Sequence, residues 1–187
     1  INKSTGLLDK YEFEGKNLLK ENSAKILVYK DNEDPWGMTN DGFYDKIGEF
    51  ATLSKEEANK FAGYPDSTCE NVHIIENGDA RAKLQATFKN RNSFAILTYT
   101  LPKQDSYIDV DIKILANDVN TLYKLSFETD LSTPEFIGQT AYGREELLKE
   151  EKEVTYQKWC AFKDESKAFA IINNSTYGGS AKDNILN

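Results

Sequence analysis

Few side chains in this sequence can do chemistry, and their spacing limits what that chemistry is. His73 is the single histidine of the chain and stands between Val72 and Ile74. An imidazole without a second nitrogen or a thiolate nearby makes a poor metal site, so a structural or surface position is the plainer reading. Cys69 and Cys160 lie far apart, in neither a CxxC nor a zinc-knuckle spacing. Two buried thiols in a reducing compartment are expected rather than a disulfide. Asp and Glu together number 31, so some pair of carboxylates falls close by chance and counting them identifies nothing. Asp109 and Asp111 share one face of a strand, but that face lies opposite Ile108, Val110 and Ile112 and reads as a solvated exterior. No catalytic residue and no set of metal ligands is assigned.

Trp36 is better placed for binding than any of these. It follows Pro35 on a stretch that carries Asp31 and Asp34. A planar ring there could stack on the apolar face of a sugar while Asp31 or Asp34 accepts hydroxyl protons. Packing of Trp36 over the core is the competing reading. Trp159, inside an apolar run, is expected in the core. Arg81 and Arg144 could each reach across an interface to another domain. Arg81 follows a tight turn, which favours a salt bridge within its own sheet.

The elements that must position these residues are mainly strands. Gly6 to Leu19 reads as strand, turn and short strand, and Ala24 to Tyr29 as a further apolar run. Ser54 and Glu57 have capping-box spacing, which predicts a short surface helix from Lys55 to Ala62, ended by Gly63 and Pro65. From residue 72 the hydrophobic period is two. Val72–Glu76, Asn77-Gly78-Asp79 and Ala80–Asn90 read as a hairpin whose Asn-Gly pair accepts positive φ angles. Phe94 to Leu101 is a more continuously apolar strand. Ile108, Val110, Ile112 and Ile114 alternate with charged residues, and Tyr123, Leu125 and Phe127 repeat the pattern. Arg144 to Glu153 breaks it with mixed charge and reads as a solvated excursion or short helix. Strands at this spacing imply an all-β fold, an antiparallel β-sandwich with one short helix.

Composition bounds the function classes. The 187 residues suffice for one good core or for two small domains, and a domain of this size buries roughly 70% of its unfolded surface. A net charge of −8 disfavours nucleic acid and acidic membrane surfaces as partners. No apolar run approaches membrane-spanning length, and the N-terminal residues lack the pattern of a signal peptide. A cytoplasmic protein is expected. Asn184-Ile185-Leu186-Asn187 reads as a strand beginning, so residues 1–187 are expected to form a single domain cut from a longer chain.

Several stretches together resemble one family. His73-Ile74-Ile75-Glu76-Asn77-Gly78-Asp79-Ala80-Arg81 is similar to a hairpin of the C-terminal β region of glycoside hydrolase family 38 α-mannosidases, bacterial type. Leu122 to Phe127, Gly143-Arg144 and Gln157-Lys158-Trp159 resemble its later strands in order and spacing, and Asn173 to Gly178 its asparagine turn. Asp31 to Met38 resembles its acidic-aromatic loop. The resemblance implies a sandwich like the galactose-mutarotase supersandwich, packed on a separate catalytic domain and lining part of its substrate cleft. It also implies a parent that hydrolyses terminal α-linked mannose, with a zinc site of two histidines and two aspartates. With one histidine this chain cannot build that site alone. Zinc is therefore expected in the missing catalytic domain, no cofactor is expected here, and the chain alone is expected to be inactive. The expected partners are that domain and α-mannoside glycans. An autonomous carbohydrate-binding module is the main alternative. A mutarotase-like epimerase is poorly equipped with one histidine, and a purely structural or homo-oligomerising module would exploit an exposed strand edge.

Overall fold

A computed structural model describes residues 1–31 and 41–187. These residues form two compact units, Ile1–Leu7 with Glu49–Val119 and Leu8–Gly48 with Asn120–Asn187. Both are built almost wholly from antiparallel strands.

In chain order, the second unit opens with the hairpin β1 (Glu12–Phe13) and β2 (Lys16–Asn17), then β3 (Lys25–Lys30) and β4 (Lys46–Glu49). The turn between β1 and β2 is Glu14-Gly15, both at positive φ, the geometry that matches strand twist.

The first unit holds β5 (Ala51–Thr52), α1 (Lys55–Phe61), β6 (Val72–Asn77), β7 (Arg81–Asn90), β8 (Ser93–Pro102) and β9 (Asp109–Leu115). Its five strands form one sheet in the order β5-β7-β8-β9, with β6 also pairing on β7. One face is apolar: Ala86, Phe88, Ala95, Leu97 and Tyr99 are buried along it. The Tyr99 hydroxyl donates to the Gly6 carbonyl at 2.9 Å. A Cβ at Gly6, which has φ +70°, would lie 2.6 Å from the Ala86 methyl, so only glycine fits.

Helix α1 forms as the sequence predicts. The Ser54 hydroxyl accepts from the Glu57 N–H and the Glu57 carboxylate accepts from the Ser54 N–H, satisfying two donors that a helix N-terminus leaves open. Its Phe61 stacks on Phe94 with ring centroids 4.6 Å apart. The β6–β7 hairpin also forms, for a different reason than expected. Neither Asn77 nor Gly78 has a positive φ; Asn77 pairs with Ala82 and the Gly78 N–H donates to the Arg81 carbonyl, which gives a four-residue loop instead of a tight turn.

The second unit resumes with β10 (Thr121–Glu128), β11 (Glu135–Thr140), β12 (Gly143–Glu146), β13 (Glu150–Thr155), β14 (Trp159–Lys163), β15 (Ala168–Ile172), β16 (Gly178–Lys182) and β17 (Ile185–Leu186). A six-stranded sheet runs β13-β16-β17-β10-β3-β4 and a four-stranded sheet β12-β11-β14-β15. They face each other as a sandwich: Phe127 of β10 lies 5.4 Å from Phe169 of β15. Ile26, Val28 and Leu186 are buried on one inner face, and Phe136, Cys160 and Phe162 on the other. The charged run Arg144–Glu153, expected as an excursion or helix, instead supplies strands β12 and β13, each at the edge of a sheet. Edge strands tolerate such charge because one side of each remains unpaired.

Candidate functional site

The two sheets of the sandwich turn very different faces away from their shared core. On the six-stranded sheet, the register of β3 with β10 puts Lys25, Leu27 and Tyr29 beside Leu122, Lys124 and Ser126. Lys124 is buried. Its ammonium donates to the Glu153 carboxylate and, at 2.8 Å, to the Ser180 hydroxyl. It also sits 5.0 Å from the centre of the Tyr29 ring and 5.8 Å from that of Phe43. Burial, with Glu151 and Glu153 nearby, pushes the Tyr29 hydroxyl pKa up. Lys182 pairs with Glu151 at 2.6 Å and Lys20 with Glu128 at 2.8 Å, and each pairing raises the lysine's pKa. A groove floored by Leu27 and Tyr29 and rimmed by Glu151 and Lys182 measures about 250 Å³, below the ~300–1,000 Å³ of ordinary ligand sites. Its rim ions Glu151 and Lys182 are paired with each other.

The four-stranded sheet is the reverse case. Gly138 pairs with Cys160, which pairs with Ile171, and this row faces inward. A Cβ on Gly138 would lie 2.5 Å from the Leu147 side chain, so residue 138 is held against the core and its neighbour Gln139 must face out. Trp159 pairs with Ile172, and Gln139 with Arg144. Strand alternation therefore puts Arg144, Gln139, Trp159 and Ile172 on one outer face. Trp159, expected in the core, is half-buried and faces outward. The continuous apolar run of β14 hid this, because its Ala161 and Phe162 carry no alternation that reveals which residues face in. The β15 edge of the face is open: Ala168, Ala170 and Ile172 are all exposed, Ile172 at 81%, while Ala161 at its centre is buried. The Gln139 side-chain oxygen accepts from the Lys158 N–H at 3.0 Å. Among the described residues no acceptor engages its NH₂, and no carboxylate pairs with Arg144. This aromatic, amide and guanidinium surface is the candidate site.

Of the described sequence candidates in this unit, Arg144 is on that face and Asp31 is not. Asp31 is half-buried just beyond β3, and its N–H donates to the Asn120 carbonyl at 2.9 Å. Asp34 and Trp36 lie outside the described residues. Arg81 donates from Nε to Glu76 at 2.8 Å and Lys83 stands 3.5 Å from the same carboxylate. The guanidinium holds the Glu76 carboxyl below its usual range, so Arg81 works within its own hairpin. Asp109 and Asp111 are exposed on β9. The His73 Nδ1 lies 2.8 Å from the Glu70 carbonyl, and among the described residues no group of three His, Cys, Asp or Glu could hold a metal. A two-histidine zinc site does not fit these residues. Both cysteines are unpaired as thiols; Cys160 is buried, which pushes its thiol up to about 11, but Cys69, expected to be buried, is exposed.

The profile of the glycosyl hydrolases family 38 C-terminal domain matches residues 1–187, the whole chain. The chain belongs to that family. This C-terminal domain is thus part of a glycosyl hydrolase, and its all-β architecture is the one that the family resemblance implied. No curated protein matches the chain. Among the described residues of this family 38 domain, no helix is long and apolar enough to cross a membrane.

Proposed function

We propose that this domain is the non-catalytic β region of an α-mannosidase. In the parent it packs on the zinc-bearing catalytic domain and contributes to the rim of the cleft where terminal α-linked mannose is hydrolysed. The family match along all 187 residues carries the reading. The single histidine of the sequence supports a division of labour in which zinc and nucleophile belong to another part of the parent. Zinc there supplies a Lewis acid that binds sugar hydroxyls; the residues of this chain supply surface and rigidity. The exposed thiol of Cys69 favours a reducing, cytoplasmic setting.

The test is hydrolysis of an aryl α-mannoside by this chain alone and by the parent polypeptide, each with added zinc. The parent turns over and the isolated chain does not. Turnover by the isolated chain would overturn the division of labour, and a parent active only on another glycoside would overturn the mannose assignment.

A further inference from the structure

The outer face of the four-stranded sheet carries an assignment of its own. We infer that it is a binding surface for a neutral glycan, with Trp159 as the stacking platform and Gln139 and Arg144 as hydrogen-bond donors. The inference rests on the family reading only for the choice of mannose as the first probe.

Three observations converge. First, Trp159 stands half-buried on the outer row, turned away from the Phe136–Phe162 core, and its cross-strand neighbour Ile172 is 81% exposed. An indole is a large flat apolar surface, matched to the C–H face of a sugar ring. Second, the donors beside it are uncommitted. Arg144 brings up to five N–H groups and Gln139 two, and no acceptor engages them among the described residues. Third, charge on the face balances. Arg144 and Lys163 are offset by Glu135 and Glu146, all four exposed. A face with no net field favours an uncharged ligand rich in hydroxyls over a phosphate, a nucleic acid or a basic peptide.

The spacing suits more than one sugar. Arg144, Gln139 and Trp159 occupy three successive strands, which spreads them over about 10 Å at ~4.8 Å per strand. A monosaccharide on Trp159 would leave Arg144 unused, so a disaccharide should bind more tightly than mannose.

The experiment is a titration of the intact chain with mannose, an α-linked mannobiose and cellobiose, following the backbone and indole N–H signals by NMR. Saturable shifts centred on Trp159, Gln139 and Arg144 are expected, with millimolar affinity and the disaccharide binding at least threefold more tightly. Trp159→Ala should weaken binding tenfold or more. Arg144→Ala, an exposed change that leaves the fold intact, should remove the advantage of the disaccharide over mannose. Binding of cellobiose in place of mannobiose would keep this surface as a glycan site while counting against the mannosidase reading. Shifts elsewhere on the domain, an unchanged affinity in Trp159→Ala, or no shifts at ~10 mM would overturn the inference. So would concentration-dependent shifts confined to β15 without ligand, which would show that the face pairs with a second copy.

Discussion

Two faces of one sandwich use polar side chains in opposite ways. The outward face of the six-stranded sheet is rich in ions, yet Lys124, Lys182 and Lys20 each have a carboxylate partner. The outward face of the four-stranded sheet has fewer charges and, among the described residues, leaves the Arg144 guanidinium and the Gln139 NH₂ without an acceptor beside a half-buried indole. The richer face is the structural one. Charge density is a poor guide to binding, because a buried charge must be satisfied internally for the fold to survive. Donors that the fold does not consume, next to apolar surface that it does not cover, are the better signal.

The contrast can be broken by mutation, and the largest effect belongs to Lys124. Removing it leaves Glu153, which is 29% exposed, without its partner. Lys124→Ala should cost about 3 kcal/mol in urea unfolding, and Lys124→Met less, since its chain still packs beneath the rings of Tyr29 and Phe43. A cost below ~1 kcal/mol would show that this face is screened by water and no more structural than the other.

A smaller change of opposite sign is expected at the tip of the β11–β12 hairpin. Tyr142 is fully exposed and sits at φ +71°, where a side chain meets the following carbonyl at a cost of roughly 1–2 kcal/mol. Tyr142→Gly should stabilise the domain by about 0.5–1 kcal/mol, read as a higher urea midpoint. Destabilisation would mean that the ring contributes contacts to the four-stranded sheet.

The turn between β14 and β15 adds a pH dependence to that sheet. Backbone N–H groups of Ser166, Ser132 and Lys167 hold the Asp164 carboxyl down to about 2, from its ordinary 3.8. Because the folded value is depressed, the stabilisation is complete above about 4 and is lost as pH falls through about 2. Acid unfolding followed by circular dichroism should show this loss in the natural sequence, and Asp164→Asn should remove it.

The smallest effect is expected at an exposed pair. Lys182→Ala removes the partner of Glu151, with 57% and 31% of the two side chains exposed. It should leave the urea midpoint essentially unchanged, because solvent screens so exposed a pair. A larger cost would extend the structural network of the six-stranded face to its rim.

Much of this fold was legible in local patterns. The capping box of Ser54 and Glu57 placed α1 within a residue, since its hydrogen bonds close within four residues. Alternation in Asp109–Leu115 and Thr121–Glu128 placed β9 and β10. The candidate site was not legible. Trp159 read as core because Cys160, Ala161 and Phe162 follow it without a break, and a continuous apolar run gives no phase. Arg144–Glu153 read as non-strand because its side chains lack apolar alternation. Its backbone joins sheets only because β11 and β16 offer it open edges.

By itself the sequence determined the β-rich class, the single short helix among the described residues, the family, and the lack of a second histidine for a two-histidine metal site. The class, the helix and the missing histidine follow from period, capping chemistry and composition, whereas the family rests on a resemblance carried by several motifs in order along the chain. Tertiary structure alone decided which side of the four-stranded sheet faces the core. A slip of one residue would exchange the outer row of Trp159, Gln139 and Arg144 with the inner row of Cys160 and Gly138. What prevents the slip is the close approach of Leu147 to Gly138, a contact between β11 and the segment that follows β12, which no local pattern contains.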